Sequence, residues 1–300
     1  MSDMYKFVKD MGSEELYETL MAVGEEKEAE KLAESLTSTG ERAGSFGILD
    51  FLTDRPWRHT EHAFGFIEAK AGERHLEIVS PGQIESDAEL KNQTITISLD
   101  RLYVADYPGG GVHKVLFDFQ AENRMDDGTT QKVRFNQVCK VHEGQAAGVV
   151  NYPIFVDLNV GERGLVFNCT TVNVRNSDDD SFLEFLEGDV FKSGLKLLGG
   201  FQPALLPLSE TMLGIAKSVA SKRQNIPVQD FHLGLDFDTT PSGLRLKLGS
   251  YVAVQIPSNL KYNWDWTQWH FDASNGQITN KLNPTLKFDF NYIIFGIKKQ

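Results

Sequence analysis

Apolar residues recur at two different spacings along the chain, and the change from one spacing to the other separates two regions. Over residues 13–38 they fall on helical stripes with Gly24 between them, which predicts a short helical hairpin. From Gly44 onward the dominant period is two, the spacing of strands that bury one face. We therefore predict an acidic helical segment over residues 1–43 and a β domain over residues 44–300.

Strands joined by turns account for most of the β region. In the clearest strand Ile95, Ile97 and Leu99 alternate with polar residues, and residues 62–69 and 75–79 form a predicted hairpin. Further predicted strands run through residues 115–119, 133–141, 154–160, 165–174, 231–237, 244–248, 251–256 and 286–297, with 238–243 as a hairpin loop. Because about ten short strands are joined mostly by turns, an antiparallel sandwich is favoured over a β-α-β fold.

The strand pattern is interrupted by a helical insert. Its first helix follows three consecutive acids, which suit the positive end of a helix dipole. Its second helix has apolar residues spaced by three and four: Leu208, Met212, Ile215 and Val219. The predicted fold class is mainly β, a β-rich α+β fold: an antiparallel β-sandwich with an N-terminal helical segment and a two-helix insert around residues 178–224.

Composition and charge are those of an ordinary globular protein. Hydrophobic residues make up 41% of the chain and charged residues 24%, so a packed core is expected. The net charge is −12, and residues 1–50 supply −7 of it, from 12 acidic and 5 basic side chains. Since phosphate contacts need a concentrated basic surface and no Lys/Arg run is present, nucleic acid is excluded as a partner.

Three features of the sequence predict a cytoplasmic protein. The first residues, MSDMYKFVKDMGSEE, lack the apolar stretch of a signal peptide. No uninterrupted apolar run is long enough to cross a bilayer as one helix. Two cysteines, Cys139 and Cys169, are too few for a secreted disulfide scaffold, and both lie in predicted strands as buried thiols.

Acidic loops are the candidate metal site, with calcium as the cofactor they would hold. Asp178, Asp179 and Asp180 follow one strand, and Asp236 and Asp238 end another. Loops at one end of a β-sandwich can gather the oxygen ligands that calcium prefers, and Asp126 and Asp127 in a turn could join them. The alternative, which the sequence equally explains, is that these are ordinary turn and helix-capping residues. No other cofactor is implied.

His59 and His62 form an H-x-x-H pair, but a zinc site needs three or four ligands and no second pair accompanies it. Zinc is therefore not predicted from the sequence. These two histidines and Asp118 are nevertheless the first residues to mutate if scattered side chains form an active site.

Three of the four tryptophans lie close together, at positions 264, 266 and 269. Trp264 and Trp266 are predicted to share one face of a strand. If exposed, they and Trp269 could stack on a sugar or contact a partner. If buried, they fill the core, and this interpretation is favoured.

No complete catalytic or nucleotide-binding motif is present. The leading hypothesis is a non-enzymatic cytoplasmic binding or assembly protein that presents loops and the helical insert to a protein partner or to another copy of itself. One alternative is a calcium- or carbohydrate-binding β-sandwich module. Another is a membrane-acting protein that uses the apolar residues 194–220, although packing of this segment on the sheet is favoured.

Overall fold

Two β-sheets form the framework of the protein, and its computed structural model describes residues 4–39, 55–68, 72–124, 128–188, 191–197, 205–238 and 243–299. The strands are β1 Glu61–Ile67, β2 His75–Val79, β3 Thr94–Val104, β4 Val112–Arg124, β5 Thr130–His142, β6 Gln145–Ala146, β7 Tyr152–Asn159, β8 Gly164–Val174, β9 Leu195–Lys196, β10 Ile226–Asp236, β11 Gly249–Ile256, β12 Trp269–Asp272, β13 Gln277–Asn280 and β14 Tyr292–Lys299. The larger sheet has the order β13-β12-β2-β1-β11-β14-β3-β7-β9, with β6 beside β3, and the smaller sheet has the order β10-β8-β4-β5.

Nearly all strand pairs are antiparallel, and the short pair β7–β9 is parallel. The predicted β-rich α+β sandwich is thus confirmed. The predicted hairpin of β1 and β2 is also present, with Phe66 opposite Val79 and Ile67 opposite Ile78.

Four α-helices lie in the described part of the chain: α1 Ser13–Ala22, α2 Glu26–Thr39, α3 Asp180–Leu186 and α4 Leu205–Ala220. Gly24 joins α1 to α2 with φ +84°, a backbone conformation that favours glycine, so the predicted helical hairpin is confirmed. The predicted boundary at residues 43 and 44 lies outside the described residues. No helix among those described is long and apolar enough to span a bilayer.

The main core lies between the two sheets and is rich in phenylalanine. Phe295 of the larger sheet packs against three rings of the smaller sheet: Phe167 at 4.9 Å, Phe231 at 5.8 Å and Phe119 at 6.1 Å between ring centroids. Edge-to-face contacts of this kind add to the free energy gained by burial. Apolar residues of α1, α2 and α4 belong to the same buried cluster, so the helices share this core.

A second, smaller core lies on the opposite face of the larger sheet. Along β11, Tyr251 and Ala253 face the main core, while Val252 and Val254 alternate with them and face the second. Aromatic side chains of residues 257–290, a stretch that includes the edge strands β12 and β13 of the same sheet, cover this face. We call this stretch the aromatic cover.

Three predicted strands differ from the structure. Residues 244–248 form no strand, because their backbone groups form hydrogen bonds with the loop before β3 as well as with β10. The Arg245 N–H donates to the carbonyl oxygen of Pro81, and the carbonyl oxygen of Leu246 accepts from the Asp87 N–H. Trp264 and Trp266 do not share a strand face, because Asp265 caps a 3-10 turn at residues 266–268. The predicted strand 286–297 begins only at residue 292, after a turn.

Candidate functional site

The outward-facing side chains of the smaller sheet change from apolar to polar halfway along its strands. On β4 the fully buried Leu116 is followed at alternate positions by Asp118 and Gln120, and on β8 Thr170 precedes the buried Val172. The apolar half belongs to the buried cluster that includes the helices, and α4 packs on β5. The polar half is left partly uncovered, and we call it the open polar face.

Strand register brings the polar residues into two rows across the four strands. The first row consists of Asn136, Asp118, Thr170 and Asp230, and the second of Arg134, Gln120, Asn168 and His232. Directly opposed side chains on antiparallel strands lie close enough to interact. The rows therefore place polar side chains side by side across the four strands, an arrangement that no local sequence pattern reveals.

Asp118 is the centre of this surface and is fully buried. Its Oδ2 accepts hydrogen bonds from the Tyr5 hydroxyl at 2.9 Å and from Gln120 Nε2 at 3.3 Å. Its Oδ1 accepts from Asn136 Nδ2 at 3.0 Å and lies 3.4 Å from Arg134 Nε. Burial raises the pKa of the Asp118 carboxyl, and the charge of Arg134 opposes that rise. The network holds the N-terminal segment over the first row.

The remaining members of the rows also bond to one another. Thr170 Oγ1 donates to Asp230 Oδ1 at 2.7 Å, and His232 Nδ1 is hydrogen-bonded to Asn168 Oδ1. In the part of the chain that the structure describes, no hydrogen bond occupies Asp230 Oδ2 or Asn168 Nδ2. An acceptor and a donor therefore remain for a ligand.

A depression of 530 Å³ lies on the open polar face. Tyr5 lies on one side of it, the second row forms part of its floor, and Glu122 and Lys132 lie beyond that row. The volume is that of an ordinary small-molecule site. Its lining can donate to and accept from a polar ligand, and it also exposes apolar surface from Ala121, Val166 and Phe231.

His59 and His62 line a second, smaller cavity of 150 Å³ beside the open polar face. The buried amide of Gln255 donates to the carbonyl oxygens of His59 at 2.6 Å and Val228 at 2.9 Å, so it joins two walls of this cavity. Burial lowers the pKa of His62 to about 4, which keeps its ring neutral at pH 7. Asp230 lines both cavities.

The acids proposed for calcium lie at opposite ends of the smaller sheet. Asp236 is paired with Gly164 at the start of β8, whereas residues 178–180 follow its end. The length of β8 separates the two groups by about 30 Å. Asp179 is buried and is bound by Lys222 at 2.5 Å and by Asn225 at 2.6 Å. These contacts give Asp179 a structural role.

Asp178 is exposed and Asp180 pairs with Lys114, while Asp238 is exposed just after β10. Asp126 and Asp127 lie outside the described residues. Across the described ranges, no three His, Cys, Asp or Glu side chains are grouped so that they could hold a metal ion.

The three tryptophans belong to the aromatic cover. Trp266 is 7% exposed, and its Nε1 donates to the carbonyl oxygen of Phe64 at 2.8 Å. It lies on Gly65, where a Cβ would come within 2.8 Å of the ring. Trp264 packs edge-on against Trp266 at 5.4 Å, and Trp269 contacts Phe288 at 4.8 Å. Two of these rings are partly exposed, but all three pack on the second core.

Comparisons with family models, curated proteins and solved structures found no match to this chain.

Proposed function

We propose that the protein is a non-enzymatic binding protein that recognises a neutral, hydroxyl-rich ligand of the carbohydrate class on the open polar face. The observation that carries this proposal is the two-row network centred on buried Asp118, which underlies a depression of ligand size. The carboxylate of Asp118 fixes Gln120, whose side chain lines the depression.

The lining suits hydroxyl groups because each hydroxyl both donates and accepts. The amide of Asn168 offers a donor, and the carboxylate of Asp230 offers an acceptor. Gln120 donates to Asp118 through its nitrogen, and this bond orients its carbonyl oxygen as a further acceptor.

Charge favours a neutral ligand over a strongly charged one. Around the depression and the ion-pair partners of its acids, three carboxylates (Asp118, Glu122 and Asp230) stand against three cations (Arg124, Lys132 and Arg134). The formal charges balance, so neither a polyanion nor a polycation gains much from this surface.

The network also lowers the free-energy cost of binding. Asp118 and its partners are ordered when the protein folds, so a ligand does not have to fix their side chains. Affinity then depends on the few groups that reach the ligand.

Titration of a panel of neutral mono- and oligosaccharides, followed by NMR chemical shifts, tests the proposal. We expect saturable binding by at least one saccharide, with the largest shifts at Asn168 and Asp230. Asn168→Ala and Asp230→Asn should weaken binding about tenfold each, as loss of a hydrogen bond to a ligand predicts.

Gln83→Ala is the matched control, since Gln83 is an exposed amide outside the open polar face, and its variant should bind like the wild type. Absence of binding across the panel, or binding that both site variants leave unchanged, would contradict the proposal.

A second candidate function is self-association through the aromatic cover. Tyr262 is 89% exposed and Leu282 is 93% exposed, although both belong to the stretch that covers the second core. Exposed apolar side chains mark a contact site where they form a patch, and these two lie on the same stretch of chain. Sedimentation velocity over a concentration series should show a dimer that Tyr262→Ser with Leu282→Ser abolishes. A monomer at all concentrations would exclude it.

A further inference from the structure

Two histidines far apart in sequence lie against each other on adjacent strands. His75 of β2 is paired with Asp272 of β12, and His270 of β12 is paired with Glu77 of β2. The four side chains therefore share one face of the sheet, with the histidines on the diagonal. The two ring centroids are 4.3 Å apart, and the His75 side chain is exposed.

We propose that His75 and His270 together bind one divalent transition-metal ion of the Cu²⁺ or Ni²⁺ type, with water completing its coordination. Imidazole is a preferred ligand of these ions. The proposal is independent of the open polar face, which lies on the other sheet.

The separation of the rings indicates which ions fit. With a metal–nitrogen bond of about 2.1 Å, the ion lies about 3.2 Å from each ring centre. Two centres 4.3 Å apart then subtend about 85° at the ion, close to the right angle of square-planar or octahedral coordination. A tetrahedral zinc ion would need ring centres about 5.2 Å apart.

Thr279 supports the orientation of His270. Its Oγ1 lies 2.9 Å from His270 Nε2, across the pairing of β12 with β13. In the tautomer whose Nε2–H donates to this hydroxyl, Nδ1 keeps a lone pair for the metal. His75 is the adaptable partner, since its exposed ring can turn toward the ion.

The surrounding charges are compatible with a cation. Asp272 is bound by Arg74 at 2.9 Å, and Glu77 is bound by Lys281. Two carboxylates and two cations therefore balance around the histidines, and no net positive charge opposes the ion.

A metal at this position would join β12 to the rest of the sheet. The pairing of β12 with β2 covers only three residue pairs, from His75 to Glu77. Because the two histidines meet only when these strands are paired, the ion binds the folded state and stabilises it.

Isothermal titration of untagged protein with Ni²⁺, together with Cu²⁺ electron paramagnetic resonance, tests the proposal. We expect one Ni²⁺ per chain, a higher melting temperature with Ni²⁺, and a Cu²⁺ spectrum showing two coordinated nitrogens. His75→Gln and His270→Gln should each abolish this binding. Thr279→Val, which keeps the shape and removes the hydroxyl, should weaken it about tenfold.

His142→Gln is the matched control, because His142 is an exposed histidine at the end of β5 on the smaller sheet. It should bind Ni²⁺ like the wild type. A wild-type protein that binds neither ion, or Ni²⁺ binding that survives His75→Gln unchanged, would overturn the proposal.

Discussion

The larger and the smaller sheet each have a face turned away from the shared core, and the chain covers these two faces differently. On the larger sheet, Val252 and Val254 point outward, and the aromatic cover buries them. On the smaller sheet, the outward positions turn polar at Asp118 and Thr170. The helices that cover the apolar half of this face do not extend over the polar half. The difference shows that the outward positions along a strand are apolar where other parts of the chain cover them and polar where that cover ends.

The largest effect is expected where the aromatic cover is removed from the larger sheet. Trp266→Ala should lower the free energy of unfolding by about 3–5 kcal/mol, because it leaves a cavity above Gly65. Denaturant unfolding measures the change. Tyr262→Ser, on the same stretch but 89% exposed, should change stability by less than about 0.5 kcal/mol. Equal losses in the two variants would show that the cover does not pack as described.

A smaller loss is expected on the open polar face. Asp118→Asn keeps the shape of the side chain but leaves the half-buried Arg134 without its partner charge, and should cost about 2–3 kcal/mol. Denaturant unfolding again measures the change, and Asn168→Ala, at the open end of the same face, is its control at less than about 0.5 kcal/mol. An unchanged stability for Asp118→Asn would mean that the network is not what orders this face.

The cavity beside the open polar face should make stability depend on pH. The pKa of His62 is about 4 in the folded protein, below the ordinary value of 6.5, so the unfolded chain binds more protons between these values. Stability should therefore fall as the pH drops from about 6.5 to about 4.

His62 should account for about 1–2 kcal/mol of this loss. The figure is below what the full pKa shift would give, because His62 lines a cavity and is not enclosed on all sides. The difference in unfolding free energy between pH 7 and pH 5 should shrink in His62→Gln. An unchanged difference would contradict the assignment.

Local patterns were sufficient to predict the fold class and most of the long strands. Alternating Ile95, Ile97 and Leu99 indicated β3, and Gly24 indicated the break between α1 and α2. Leu244, Leu246 and Leu248 alternate in the same way but form no strand, because the loop before β3 takes part of their backbone hydrogen bonding. Period two therefore records a buried face, whether or not a strand partner is present.

The sites depend on register, which is set by contacts distant in the chain. Asp118 could be singled out from its position in an apolar strand, but its row with Asn136 and Thr170 required the pairing of three strands. His75 and His270 are separated by 195 positions and meet only through β2 and β12. The H-x-x-H pair, by contrast, was visible in the sequence and lines a cavity without a third ligand among the described residues.

We propose that the open polar face binds a neutral saccharide and that the tryptophans of the aromatic cover do not. Backbone amide chemical shifts of the isotope-labelled protein, followed during titration with a neutral oligosaccharide panel, test it most directly. We expect shifts concentrated at Gln120, Asn168, Asp230 and His232, with none at Trp264 or Trp269. Shifts confined to the tryptophans, or no shifts with any saccharide, would contradict it.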